Sequence, residues 1–451
     1  MTTDLASIQD PTSRLAVLEQ QVSDILAEAK AQGASAAEAG VSTDTGLSVT
    51  VRLGEVETVE HHRDKGVAVT VYFGKRKGTA SSSDFSPQAI RETVAAACTI
   101  ARYTAEDEYS GLADADLMAT DIPELDLCHP WALSADQAVA LAMDSEAAGR
   151  GDARITNSEG ATVTTYQGGR VYGNSHGFIG GYAATRHGIS CVLIAQQGDN
   201  DMQRDYWYTV ARDAASLESP AEVGAHAARR ALQRLGARRL STRQVPVIFA
   251  AEVAGGLIGH FIGAIRGGSL YRNASFLVDH LGKQVFPDFV HIHEQPRLKN
   301  ALGSAPFDDE GVATRARDFI ANGRLTSYVL DSYSARKLGM QTTGNAGGVH
   351  NLTVDPGPLD LDGLIKEMGT GLLVTELMGM GVNIVTGDYS RGASGFWVEN
   401  GEIQYPVHEI TIAGNLRDIF MRIQGIGGDV DTRGNIRTGS ILIERMTVAG
   451  T

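Results

Sequence analysis

The chain is predicted to be an α+β protein: two N-terminal paired αβ units built on antiparallel strands, then a β-rich C-terminal domain. Three observations carry this prediction. Hydrophobic residues make up 43% and charged residues 21% of 451 residues, the balance of a globular chain too long for one ordinary core. The 52 glycines lie well above the usual ~7% and are scattered between apolar runs without a collagen-like period, as many strands joined by tight turns require. The order helix, strands, helix also occurs twice before residue 240.

Residues 14–32, RLAVLEQQVSDILAEAKAQ, set Leu15, Leu18, Val22, Ile25 and Leu26 at helical spacing, ended by Gly33. From about 39 to 82 the apolar period drops toward two, and Gly54, Gly66 and Gly74 break the run into antiparallel strands. Lys75, Arg76 and Lys77 read as a solvated hairpin tip. Ser86 and Pro87 open a second helix with residues 89–101 as its body. An acidic segment, 105–132, reads as a surface connector. The order then returns: a helix capped by Ser134 through Ala148, glycine-punctuated strands from Ile155 to about Arg212, and a helix from Pro220 to Leu235. The expected domains are 1–130, 131–240 and 241–451, with no residue-level repeat relating the first two.

The third begins with a buried strand, Val245 to Phe249, followed by a glycine-rich helical stretch over 253–265. Helices are expected near 275–281 and 359–368, among short strands joined by NG, GG and GD turns. Asn400-Gly401 between two strand-like runs predicts a hairpin.

Composition narrows the function classes. Cys98, Cys128 and Cys191 share no metal or disulfide spacing and read as small core residues of a reducing compartment. No run of about 18 apolar residues suggests a membrane span. The N-terminal MTTDLASIQDPTSRL lacks the charged and apolar regions of a signal peptide, so a cytoplasmic location is expected. A formal charge of −15 argues against phosphate-backbone binding.

Zinc-peptidase chemistry needs two imidazoles and a carboxylate base around one ion. His293-Glu294 continues into Gln-Pro-Arg, and His408-Glu409 into Ile-Thr-Ile, so neither forms HExxH. His260 lies alone among apolar neighbours. His291 and His293 share one face of a strand, with no third ligand nearby in sequence. Ser175, in GNSHG, has the spacing of a nucleophile elbow but precedes strands rather than a helix. TGDYSRGASG, residues 386–395, has the small-residue density of a ligand-contacting loop or of a tight hairpin connection. Asp308-Asp309 and Asp114/Asp116 read as solvated loop charges. No self-sufficient catalytic site emerges.

Longer strings are more specific. RLGEVETVEHHRDKGVAVTVYFGKRKGTASSSDFSPQAI, RITNSEGATV, VYGNSHGFIGGYAATRH, SYSARKLGMQTTGNAGG, KEMGTGLLVTELMGMGVNIVTGDYSRGASGFWVENGEIQYPVHEITIAGNL and the terminal MTVAGT occur in order. Through them nearly the whole chain resembles the PmbA/TldD family, in its PmbA (TldE) branch. The resemblance implies a subunit of a two-component zinc metalloprotease that cleaves unfolded or flexible peptides, such as leader peptides or antitoxins. Its TldD-like catalytic partner carries a His-Glu-x-x-x-His helix and a C-terminal cysteine that together bind zinc. Laid on GLIGHFIGA, that motif falls on Gly259, His260 and Ala264, and no cysteine follows Cys191. The resemblance therefore implies no catalytic residue, no metal site and no cofactor in this chain, with zinc expected in the partner. Segments 249–272 and 386–397 are candidate peptide-channel walls, with Glu252, His260, Arg272, Asp388, Tyr389 and Arg391 as candidate substrate-channel residues. The alternatives are a non-hydrolytic peptide-binding or regulatory protein of the gyrase-modulator type, and a metal site assembled across a homodimer from His260, His291 and His293. Exposed strand edges in the β-rich domain make a homodimer in isolation plausible.

Overall fold

The computed structural model describes residues 11–450; residues 1–10, which hold most of the stretch without leader character, lie outside them, as does residue 451. The first helix, α1 (Pro11–Ala31), buries Leu18, Val22, Ile25 and Ala29, one apolar stripe at helical spacing. Three long strands follow, β1 (Ala36–Arg52), β2 (Glu55–Phe73) and β3 (Arg76–Ser82), then α2 (Pro87–Tyr103). Ser86 caps α2 by accepting the Ala89 N–H, with Pro87 in the first turn, where its missing N–H costs nothing. The second set is α3 (Ala135–Gly149), β4 (Ile155–Asn174), β5 (Ile179–Gln197), β6 (Asp201–Ala211) and α4 (Pro220–Gln233). Ser134 with Gln137 and Ser219 with Glu222 form reciprocal capping boxes on α3 and α4, each cap worth about 1 kcal/mol.

Both sets build a single antiparallel sheet, ordered β3-β2-β1-β4-β5-β6. The pairing of β1 with β4, Glu38 opposite Asn174 through Val51 opposite Ala161, joins them. Strand alternation then decides what each face does. Odd-numbered residues of β1 face the helices: Ala37, Ala39 and Val41 pack under α1 and α2, and Leu47, Val49 and Val51 under α3 and α4. The opposite face, carrying Glu38, Ser42 and Asp44, stays free of helices and looks onto the C-terminal half.

That half comprises β7 (Arg243–Phe249), α5 (Ala251–Ile265), α6 (Gly267–Leu270), β8 (Ile292–Glu294), β9 (Arg317–Ala321), β10 (Arg324–Leu325), α7 (Ser332–Lys337), β11 (Leu352–Val354), α8 (Leu361–Met368), β12 (Gly371–Met378), β13 (Asp388–Glu399), β14 (Glu402–Asn415), α9 (Leu416–Met421), β15 (Ile423–Ile426), β16 (Ile436–Arg437) and β17 (Ile441–Ala449). One sheet runs β10-β9-β8-β11-β16 and the other β14-β13-β12-β7-β17-β15. In the second, β14 also pairs with β17, so five strands close on themselves. Its central strands are buried on both faces. Val247 and Phe249 pack into the core with α5, whereas Ile248, Leu373 and Leu442 pack against Leu364 and Ile365 of α8. Asn400 and Gly401, with φ of 55° and 75°, make the β13–β14 turn that the NG pair predicts.

Two expectations differ from the structure. Residues 275–281 are turns rather than a helix. There the Ser275 hydroxyl donates to the Ala264 carbonyl and accepts the Leu277 N–H, while Asp279 takes a positive φ of 57°; local side-chain bonding has displaced the helix. Asp308 is not a solvated charge but is 1% exposed, accepting N–H groups from Glu310, Val312 and Ala346.

Candidate functional site

The helix that follows β7 is unusual in what its glycines do. Ala254, Leu257, Ile258, Phe261, Ile262 and Ile265 bury the core stripe of α5. Gly256, Gly259 and Gly263 lie off it, and packing does not require any of them. A Cβ at Gly256 would meet nothing within 4 Å, one at Gly259 only the Ile436 Cδ1 at 3.7 Å, and one at Gly263 only the Ile384 Cδ1 at 3.9 Å. Glycine inside a helix costs roughly 0.5–1 kcal/mol relative to alanine, so this face is left bare at a cost in stability. His260 stands on it.

Strand β13 brings the second component. Tyr389 and Arg391 share its inward face, while Asp388 and Ser390 point out. The Tyr389 ring meets the His260 ring edge-on, 5.9 Å between centroids and 70° between planes. His260 Nε2, Tyr389 Oη and Arg391 Nε are all buried and lack a well-aligned hydrogen bond, with the Arg391 guanidinium lying against the Tyr389 oxygen. Buried polar atoms are ordinarily paired with protein or water, so these three are open to a further partner. Burial, and then the Arg391 charge, lowers the His260 pKa, so the imidazole is held neutral. Burial pushes the Tyr389 phenol up to about 12, so it remains a donor. The group therefore offers donors to a carbonyl or carboxylate oxygen. Beside it the 378–385 loop exposes Met378, Met380 and Val385, adaptable apolar surface of the kind that suits varied partners.

Of the six candidate channel residues, His260, Tyr389 and Arg391 come together; the other three lie elsewhere. Glu252 accepts from Arg230 at 2.7 Å, within a network in which Arg230 also reaches Asp205 of β6 and ties α4 to α5. Arg272 is exposed and rests on Tyr271. Asp388 is held at the start of β13 by the Thr386 hydroxyl and Asn415, which depress its pKa. Ser175 sits in the β4–β5 turn, its hydroxyl accepting the Ala37 N–H, with no helix after it.

A cleft of about 1330 Å³ opens between the helix-free face of the N-terminal sheet and residues 309–347. Glu38, Asp44, Arg170, Tyr182, Asp309 and Asp331 line it. The Glu38 carboxylate accepts both the Tyr72 and Tyr172 hydroxyls. Arg266, at the end of α5, donates to the carbonyl of Gly347 on the cleft wall. Apart from Asp309, read as a solvated loop charge, none of these residues is singled out by the sequence, because β1 and β4 meet only through long-range pairing.

The metal expectation needs correcting. On α5 the positions matching a His-Glu-x-x-x-His motif are Gly259, His260 and Ala264. Yet this chain does contain a candidate metal-binding cluster. His291, His293 and Asp355 each offer a donor atom, all within 4.8 Å of one another. The His pair was visible on one strand face; the third ligand comes from another strand end, 64 residues away. His260 is not part of it.

Three family models cover the chain in order: the PmbA/TldA metallopeptidase domain 1 over residues 37–101, the central domain over 128–235 and the C-terminal domain over 242–450. The metalloprotease PmbA of Escherichia coli O157:H7 is 54% identical over 437 residues, covering 96% of each chain. Among solved structures, a Bacteroides thetaiotaomicron protein described as a candidate modulator of DNA gyrase superposes with a TM-score of 0.91 at 26% identity, covering 96% of this chain and 99% of that one. TldE of Thermococcus kodakarensis shares the fold, with a TM-score of 0.84 at 20% identity over 95% of this chain and 100% of its own.

Proposed function

The chain belongs to the PmbA/TldD metallopeptidase family, in its PmbA branch, and from that premise we propose that it is the peptide-handling, non-catalytic subunit of a two-component zinc protease. The TldD-like partner would hold the zinc, which supplies an activated water for attack on a peptide carbonyl. This chain's part is to bind and orient. The supporting observation is the bare α5 face with a buried polar group beside it, formed by His260, Tyr389 and Arg391. Such a face takes a backbone close to the helix and fixes one carbonyl or terminal carboxylate, with little demand on side-chain identity. Unfolded or flexible peptides, leader peptides and antitoxins among them, fit that chemistry.

A nucleic-acid role for the cleft is disfavoured by its carboxylates and by the net charge of −15. No helix among the described residues is long and apolar enough to cross a membrane.

The test is cleavage of a flexible peptide by this chain, by a TldD-like subunit, and by their mixture. The reading expects strong stimulation in the mixture; a TldD-like subunit equally active without this chain overturns it. A Gly256→Ala variant provides a second check. It is expected to raise the unfolding free energy by about 0.5–1 kcal/mol, read by thermal denaturation, and to slow cleavage by the mixture because the new Cβ stands on the peptide face.

A further inference from the structure

We infer that His291, His293 and Asp355 form a binding site for a divalent transition-metal ion such as zinc, belonging to this chain and separate from the α5 face. Strand alternation creates it. Ile292 and Glu294 of β8 turn into the core, so His291 and His293 emerge together on the other face, rings stacked at 4.9 Å and 23°. The flanking strands each contribute a carboxylate. Asp318 of β9 is the register partner of His293, and Asp355 directly follows Val354 of β11, its N–H bonded to the His291 carbonyl.

The contacts leave a gap that a cation fills. His291 Nε2 is 3.0 Å from Asp318 Oδ1, and His291 Nδ1 is 2.7 Å from Asp355 Oδ2. Facing two carboxylates, His291 needs a positive charge at both ring nitrogens, from a second proton or from a metal ion at Nδ1. With the proton on Nε2, facing Asp318, the Nδ1 lone pair confronts a carboxylate lone pair. His293 Nδ1 lies 3.3 Å from Asp355 Oδ1, yet makes no hydrogen bond and is buried. A cation between these atoms gives all three donors a common partner. Metal–nitrogen bonds of about 2.0–2.1 Å place tetrahedral ligands roughly 3.3 Å apart, so the His293–Asp355 separation already suits coordination. Two imidazoles and one carboxylate favour zinc, cobalt or nickel over calcium or magnesium. Asp318 then acts as a positioning residue: it fixes the His291 tautomer and orientation from behind, as carboxylates behind metal-bound histidines do. Three protein ligands leave a coordination position for water. None of these residues lines the interdomain cleft, so the inference stands apart from the peptide-handling reading.

The full chain, stripped with a chelator and titrated with zinc or cobalt(II), should show one saturable site, followed by calorimetry and by the visible absorption of cobalt. His293→Gln should weaken affinity by 100-fold or more, and Asp318→Asn by roughly 10- to 100-fold while leaving the ligands in place. Thermal unfolding of the unaltered chain gives an independent reading: zinc should raise the midpoint, EDTA should reverse it, and magnesium should do nothing. Absence of saturable binding, or affinity unchanged in His291→Gln/His293→Gln, would overturn the site and leave an imidazolium salt-bridged to two aspartates in its place.

Discussion

Replacing Arg391 by methionine is expected to lower peptide cleavage by the mixture of this chain and a TldD-like subunit roughly 10- to 100-fold, because a charge-assisted hydrogen bond worth about 1.5–3 kcal/mol is lost. Arg391 extends its guanidinium inward from β13 beside Tyr389 and His260, with its Nε buried and free to donate to a peptide oxygen. Methionine keeps most of the stem volume and removes the guanidinium with its charge and its donors. Complex formation, followed by sedimentation, should survive the change. The pH profile should change too: the Arg391 charge lowers the His260 pKa, so the methionine variant should let His260 take a proton at higher pH. Tyr389→Phe, which removes one neutral donor, should cost several-fold. If Arg391→Met cleaves at the wild-type rate, the α5 face is not where peptide is held.

The second large effect concerns acid. Burial pushes the Glu294 and Asp308 carboxyls up to about 7, Asp308 with help from the Glu310 charge. Glu294 accepts from Asn345 and the His350 N–H, and Asp308 from three backbone N–H groups; these bonds favour ionisation but do not overcome the burial. The sign follows from proton counting. Both folded-state values lie above the ordinary 4.5 and 3.8, so between those values and about 7 the folded chain binds more protons than the unfolded one. Stability therefore falls as pH rises through that window and levels off above it, opposite to a carboxylate in a salt bridge. Each group should make the unfolding free energy larger at pH 5.5 than at pH 8 by on the order of 2 kcal/mol. Urea denaturation at the two pH values measures the sum, and Asp308→Asn should remove about half of the difference. A stability that is flat or rising toward pH 8 would show that the donated N–H groups keep both carboxyls ionised.

Local signals in the sequence carried much of this architecture. Ser86-Pro87, Ser134 with Gln137, and Ser219 with Glu222 fix helix starts through bonds spanning three residues, and Asn400-Gly401 fixes a hairpin through two. The period of two over 39–82 is likewise a property of neighbours. What local patterns could not show is pairing at long range. Ala39 of β1 meets Gly173 of β4, so two helix–strands–helix runs that read as separate units share one sheet, and the cleft on its free face is invisible from either run alone. Asp308 lies in an acidic pair that reads as solvent-facing, yet the 346 loop closes over it. The His291–His293 pair is legible as two imidazoles on one face; its carboxylates come from two other strands, 27 and 64 residues away. His260 and Arg391 were each singled out within separate segments, but only the packing of α5 against β13 makes them neighbours. Ring closure by Ile412 opposite Val448 is another long-range contact, with β15 and β16 between the two strands in sequence.

The central claim is that this chain holds peptide without cutting it. The most direct measurement incubates the isolated, zinc-loaded chain with a fluorescently labelled flexible peptide, follows binding by anisotropy, and analyses the recovered peptide by mass spectrometry. The account predicts saturable binding, weakened by Arg391→Met, with the peptide recovered intact even when His291, His293 and Asp355 are metal-loaded. Peptide fragments produced by the isolated chain, and lost on His291→Gln/His293→Gln substitution, would contradict it and place a catalytic metal in this subunit.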